Sequence, residues 1–310
     1  MGLILKGQWT DNEPNKLRRN SQNIRFSGGF KNFISKQNPD LKPEKKRYIL
    51  YVNHTCPWSH LVIIARLLKN LESTIGIVYL DSIMGPRSWR FSKKAPDPEI
   101  KADHLYELYI HSNNKYTGRV TIPVLWDTQN KKIVNNNSSD ILYMFETEFN
   151  QINEQKHYSF YSKNHQAEQE RLDKFISKRI NDGIYKCLLS ESDLEKEIAE
   201  RNFNRALIKL DSILEGREYL LGNIPTTPDW KFFVTLIRFD LVYSELFLKK
   251  PPSLEAFNNI KNYLKKLLEF NQISSTINFH EMVKGYYRTL GKKEDVEKII
   301  HFIDNINEGK

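Results

Sequence analysis

Cys56 and Cys187 are the only thiols in the chain, and the first stands where a thiol can be made reactive. The β-rich run Arg47-Tyr48-Ile49-Leu50-Tyr51-Val52 leads within a few residues into Cys56-Pro57-Trp58-Ser59. With the strand ending near Asn53 and a helix beginning at Pro57, Cys56 falls at the helix cap. Unpaired N–H groups and the helix dipole favour a thiolate there, and can lower a cysteine pKa from about 8.5 to as little as roughly 3.5. Pro57 agrees with this placement, because proline costs no intrahelical donor in the first turn. The competing reading is that Cys56 is a small packed side chain, since free cysteines are among the most buried residues. A second cysteine would complete Cys-x-x-Cys at position 59, which is Ser59, so a mixed disulfide at Cys56 needs an external thiol to resolve it. The Ser59 hydroxyl is a candidate donor to the sulfur. Cys187 lies in the helical half and reads as packing.

Two further stretches could bind a ligand. Pro123 follows Ile122 at the start of a strand; it is either an ordinary edge-strand proline or a cis bond that exposes the preceding backbone to an extended, peptide-like ligand. Asn135-Asn136-Asn137-Ser138-Ser139 precedes a helix, with Asn137 or Ser138 as N-cap, and its donors could take a carboxylate or simply cap the helix.

The elements that must hold these residues read as follows. Residues 1–46 are polar and form an extended arm, punctuated by Pro14, Pro39, Pro43 and Gly28-Gly29. The strand from Arg47, a helix over His60 to Leu71 and a strand over Gly76 to Leu80 make a β-α-β unit whose crossover implies parallel pairing. Residues 81–114 are an irregular excursion with a short helix near Glu99 to Tyr109, and excursions of that length tend to be functional. Thr121 to Trp126 and Lys132 to Val134 form an antiparallel pair, and Ser138 to Phe149 a closing helix. This order is thioredoxin-like, over residues 47–150. Residues 151–310 are all-α, with helices over His165–Asn181, Asp193–Glu215, Thr226–Phe247, Ser253–Glu269 and Lys292–Ile306. Thr226-Thr227-Pro228-Asp229 is a clean helix start, with a hydroxyl at the cap and a carboxylate three residues on. The fold class is α+β.

A chain of 310 residues exceeds one compact core and suits two domains. The net charge of +9 does not imply a nucleic-acid partner, because 38 acidic residues are spread among the 47 basic ones and basic runs are as short as Lys45-Lys46-Arg47. It would attract small anions. No apolar run approaches the roughly 18 residues of a membrane span, the start lacks signal-peptide order, and Gly2 lacks a hydroxyl at Lys6. With two cysteines and no metal-ligand cluster, no metal is expected, and a reduced, cytoplasmic setting is.

Taken in order, Cys56-Pro57-Trp58-Ser59-His60, Ser88-Trp89-Arg90-Phe91, the run from Arg119 to Asp127, and Ile133 to Ile141 resemble the xi-class glutathione transferases, the glutathionyl-hydroquinone reductases. Asn181 to Cys187, Leu236 to Tyr243 and Lys284-Gly285-Tyr286-Tyr287-Arg288 extend the resemblance through the second half. It implies a thioredoxin-like N-terminal domain followed by an all-α glutathione-transferase C-terminal domain, a homodimer, and glutathione as co-substrate without metal. Partners would be glutathione and aromatic hydroquinone conjugates. The implied reaction is attack of Cys56 on the glutathione sulfur of a glutathionyl-hydroquinone, leaving a mixed disulfide that a second glutathione releases as oxidised glutathione. Tyr185, Tyr243, and Tyr286 or Tyr287 would supply hydroxyls; read without the resemblance, Tyr185 and Tyr243 are two of 15 tyrosines and would be helix-packing aromatics. Trp89, the backbone of Arg119, Val120, Thr121 and Ile122, and Asn137 with Ser138 would hold glutathione. Three positions depart from the family: Asn137 stands for its usual Glu, Leu61 for an Arg, and Ser59 for an Ala. The same cysteine would also serve an omega-like thioltransferase or dehydroascorbate reductase, and a non-catalytic ligand-binding protein could use the same fold.

Overall fold

In the computed structural model, residues 3–11, 29–150, 152, 158–291, 296 and 299 are described. The chain divides into two compact units, Met1–His157 with His280–Lys293, and Tyr158–Phe279 with Glu294–Lys310.

The first unit is built on a four-stranded sheet. Its strands are β3 (Tyr48–Val52), β4 (Ile75–Tyr79), β5 (Val124–Asp127) and β6 (Lys132–Asn135), in the order β4-β3-β5-β6. β3 pairs parallel with β4 and antiparallel with β5, and β6 pairs antiparallel with β5 across an irregularity between Leu125 and Trp126. Helix α1 (Pro57–Leu68) makes the crossover from β3 to β4 and packs beside α3 (Ser138–Thr147), while α2 (Leu105–Ser112) lies against β6. Aromatic and branched side chains drive this assembly: Tyr51, Val124, Trp126 and Ile133 join Leu105, Leu108 and Tyr109 of α2 in one dry cluster. This is the thioredoxin-like order that the sequence predicts.

The residues before β3 hold more structure than an extended arm. β1 (Leu3–Leu5) and β2 (Gln8–Thr10) form a hairpin that bridges Ile4 to Gly118 and stacks Trp9 on Tyr106. Pro14 and Gly28 lie outside the described residues. The excursion differs too: the helix starts at Leu105 rather than near Glu99, because the Asp97 carboxylate accepts the N–H groups of Glu99, Ile100 and Ala102 and Lys101 is left-handed at φ 60°.

The second unit contains α4 (Gln166–Ile176), α5 (Asp182–Leu189), α6 (Asp193–Ile213), α7 (Thr227–Arg238), α8 (Ser244–Phe247) and α9 (Asn258–Glu269). Two expected helices are not α-helical throughout. A π-helical turn at Ser177–Asn181 joins α4 to α5, and a second at Phe239–Tyr243 joins α7 to α8. The start of α7 is as the sequence predicts: Asp229 is out of water and accepts from Thr226 N and Oγ1, Leu220 N and Tyr263 Oη at 2.7–3.0 Å. The helix expected over Lys292–Ile306 falls almost wholly outside the described residues. An unexpected one, α10 (Phe279–Thr289), carries the Tyr286-Tyr287 pair, and from His280 onward it groups with the first unit.

One ion pair pins the sheet. Arg47, just before β3, donates Nε and Nη2 to the two oxygens of Asp127 at the end of β5, at 2.9 and 2.7 Å, with both residues at most 5% exposed. Burial works to raise the Asp127 pKa, but the Arg47 donors and the Gln129 N–H overrule it, and the carboxyl titrates below its ordinary value. Its contribution to stability is therefore complete above the unfolded-state value of about 4 and is lost as pH falls through the lower folded-state value. Asp127→Ala, which takes two bonds from a buried guanidinium that keeps the Glu44 carboxylate and the Asp40 carbonyl, is expected to cost about 1–3 kcal/mol in urea unfolding at pH 7. The variant should also lack that part of the wild-type decline in stability on acidification.

Candidate active site

Cys56 is the N-cap of α1. Its backbone is extended at φ −78° and ψ 119°, Pro57 occupies the first turn, and its Sγ accepts the Ser59 N–H at 3.3 Å. On its other side the thiol donates to the Ile122 carbonyl at 3.6 Å. The sulfur thus sits between a helix N-terminus and the segment leading into β5, with 8% of the residue exposed. The geometry can stabilise negative charge on sulfur, since a backbone N–H and the dipole end of a twelve-residue helix both point at it. The Ser59 hydroxyl does not serve it: Ser59 is wholly buried and its Oγ has no hydrogen-bond partner among the described residues. The donor is the Ser59 backbone, because in a helix the third amide past the cap points at the cap side chain.

The turn before the cysteine is held by Asn53. Its Oδ1 accepts from Thr55 N and Oγ1 at 2.7 and 2.6 Å, and its Nδ2 donates to the Leu80 and Asp81 carbonyls at 3.1 and 2.6 Å. Nothing in the sequence pattern singles Asn53 out beyond its place at the end of a strand.

The Ile122–Pro123 bond is cis. In the preceding segment, Tyr109 Oη bonds the Thr121 carbonyl and N–H at 2.7 and 3.2 Å, and the Arg119 carbonyl accepts from Tyr116 Oη. No described residue hydrogen-bonds the backbone N–H or C=O of Val120, which leaves that peptide able to pair with an extended ligand. Val120 and Ile122 belong to the same apolar cluster as Cys56, and half-buried Trp89 packs against it. Trp89 is therefore both a partial core anchor and a neighbour of the cysteine's surroundings.

Asn137 caps α3, its Oδ1 accepting from Ser139 N and Asp140 N at 2.9 and 3.1 Å. Ser138 is the first helical residue and nearly buried. Asn136, which the sequence did not single out, ties these parts together: Oδ1 accepts from Phe30 N, and Nδ2 donates to Tyr109 Oη and Thr121 Oγ1. Leu61 is 3% exposed and fills the core.

The remaining predicted residues lie elsewhere. Tyr185 on α5 and Tyr243 at the end of the second π turn meet within the second unit, hydroxyl oxygens 3.5 Å apart, with Phe247 packed on both rings. Tyr243 is wholly buried and Tyr185 half-buried. Tyr286 and Tyr287 are buried on α10. Among the described residues, no group of three or more His, Cys, Asp or Glu is placed to hold a metal ion, and no helix is long and apolar enough to cross a membrane.

Two family models match the chain, the N-terminal domain of glutathione S-transferase over residues 55–148 and its C-terminal domain over residues 167–266. The chain belongs to the glutathione S-transferase family, in its xi class. It is 31% identical over 300 residues to the glutathionyl-hydroquinone reductase YqjG of Escherichia coli (strain K12), covering 93% of this chain and 91% of that one. The structure is similar to that of a xi-class transferase from Natrialba magadii, with a TM-score of 0.89 at 30% identity over 93% of this chain and 90% of that one. It is also similar to the glutathione-bound structure of YqjG from Escherichia coli K-12, with a TM-score of 0.83 at 30% identity, covering 93% of this chain and 91% of that one.

The two cysteines differ in kind. Cys187 is buried on α5 with its thiol on the Gly183 carbonyl, and burial, with Glu200 nearby, pushes its pKa up to about 12. Iodoacetamide at pH 7.5 is expected to label the folded protein once, on the Cys56 peptide, with Cys187 reacting only after denaturation. Equal labelling of both in the peptide map would contradict this assignment.

Proposed function

We propose that the protein is a glutathionyl-hydroquinone reductase that works through a Cys56–glutathione mixed disulfide. The observation that carries the reading is the setting of Cys56: a thiol at a helix N-terminus, taking a backbone N–H, in one apolar cluster with Val120, whose N–H and C=O no described residue bonds. The relative named for this activity supports the substrate.

In the first half of the reaction the Cys56 thiolate attacks the sulfur of the conjugate. An S–S bond forms, the bond from sulfur to the aromatic ring breaks, and its electron pair passes to the ring carbon, which takes a proton as hydroquinone leaves. In the second half a glutathione thiolate attacks the mixed disulfide, releasing oxidised glutathione and restoring the Cys56 thiolate. The conjugate is reduced and two glutathione sulfurs are oxidised. Ser59 has no sulfur to resolve the intermediate, which is why the second glutathione is required.

Glutathione would lie extended along Arg119, Val120, Thr121 and Ile122, with Trp89 covering it and its γ-glutamyl end at Asn137 and Ser138. The Asn137 side-chain oxygen caps α3, so its amide nitrogen is the group left for that ligand, without the charge that a Glu would bring. Tyr185, Tyr243 and one of the pair Tyr286 and Tyr287 would hold the phenolic oxygens and deliver the proton. A homodimer in a reducing compartment such as the cytoplasm is the working form we infer.

Incubating the protein with glutathionyl-menadiol in the absence of free glutathione should add one glutathione mass to the Cys56 peptide, and Cys56→Ser should abolish both adduct and turnover. Absence of the adduct on a folded wild-type protein would overturn the mechanism. Tyr185→Phe and Tyr243→Phe should slow conjugate cleavage by about 10²–10⁴-fold, the usual worth of a positioned acid, while reduction of a small disulfide changes far less. Equal effects on both reactions would favour a thioltransferase, and no turnover of either a binding protein.

A further inference from the structure

Helix α10 meets the Cys56 turn through a contact that only glycine allows. A Cβ at position 285 would lie 2.0 Å from Thr55 Cγ2 and 2.5 Å from the Ser82 carbonyl oxygen, inside any van der Waals contact. The need is for room rather than for unusual backbone, since Gly285 lies within the helix. Neither neighbour can give way cheaply. Ser82 O belongs to the main chain, and Thr55 is clamped by its N–H and hydroxyl to Asn53, which is 0% exposed.

The helix is fastened to the same segment on both sides of this contact. The Ser82 hydroxyl donates to Glu281, and the Met84 N–H donates to Thr289 Oγ1 at 3.2 Å. Glu281, Gly285 and Thr289 recur every four residues and so form one stripe along α10. Tyr286 and Tyr287 follow the glycine directly. Their distance from the turn that carries Cys56 is therefore fixed by how closely that stripe approaches Thr55 and Ser82.

We propose that Gly285 is a positioning residue, whose missing side chain sets the tyrosine pair at the distance from Cys56 that departure of the hydroquinone requires. The role rests on the reductase reading above. It predicts a selective defect: thiol–disulfide exchange needs only Cys56 and glutathione, whereas conjugate cleavage also needs the phenolic oxygens held and a proton delivered.

The test compares Gly285→Ala with Thr289→Val, which removes one fastening without adding bulk at the contact. For each, cleavage of glutathionyl-menadiol, reduction of a small glutathione mixed disulfide and the thermal midpoint are measured. Gly285→Ala is expected to lose at least about tenfold in conjugate cleavage, within the roughly hundredfold that a misplacement of an ångström can cost, with disulfide reduction within about twofold of wild type. Thr289→Val should show the same selectivity in milder form. Parallel loss of both activities, or wild-type cleavage by Gly285→Ala, would overturn the role. If Gly285→Ala does not fold, the selectivity of Thr289→Val decides in the same way. A wild-type protein that does not cleave the conjugate refutes the reductase reading, whereas one that does, without selective loss in the variants, refutes only the role of Gly285.

Discussion

The four hydrogen bonds of the Asn53 side chain are the constraint on which the rest of the site depends. This amide, wholly out of water, joins the end of β3 to the chain leaving β4 and holds Thr55 by both its N–H and its hydroxyl. A buried amide with all these groups paired is rigid, because releasing any one bond leaves a donor or acceptor stranded in an apolar medium. Cys56 inherits its position from that rigidity. The helix it caps, the sulfur's contact with the Ile122 carbonyl and the seat of α10 against Thr55 are all downstream of one side chain that performs no chemistry.

Around this anchor the protein separates two jobs that a carboxamide can do. Asn136 bonds the arm through Phe30, helix α2 through Tyr109 and the segment before Pro123 through Thr121, so it holds parts of the scaffold together. Asn137, one residue on, turns its oxygen to the first amides of α3 and leaves its nitrogen for other use. Two of the three departures from the family pattern fall differently here. Leu61 is taken up by the core, where it alters packing. Asn137 caps α3 with its oxygen and brings a shorter, uncharged side chain to a position where the family has a carboxylate.

Much of the first unit was legible in the sequence, because its signals are local. A run such as Tyr48–Val52 has no reading but a buried strand, Pro57 marks a first helical turn, and Thr226 with Asp229 marks another. The site was legible only where chemistry and local signal coincide, at Cys56. What escaped was set by distant contacts. Nothing in spacing brings Tyr185 beside Tyr243, 58 positions away. Helix α10 was missed because a glycine followed by two tyrosines weakens its local signal, while the tertiary contacts at Thr55, Ser82 and Met84 supply what the sequence pattern lacks. The Ser59 hydroxyl was misread because helical spacing gives a neighbour but not which of its groups points at it.

The π turn at Phe239–Tyr243 lets the helix carry a residue that a regular α-helix would not. A π turn takes one residue more than an α turn to go once around the axis, so the extra residue is absorbed where it stands. Deleting a single residue there would restore regular α pairing and leave the side chains beyond the turn facing their present neighbours. What the surplus residue alters is the turn itself, and Tyr243, whose hydroxyl meets that of Tyr185, belongs to it.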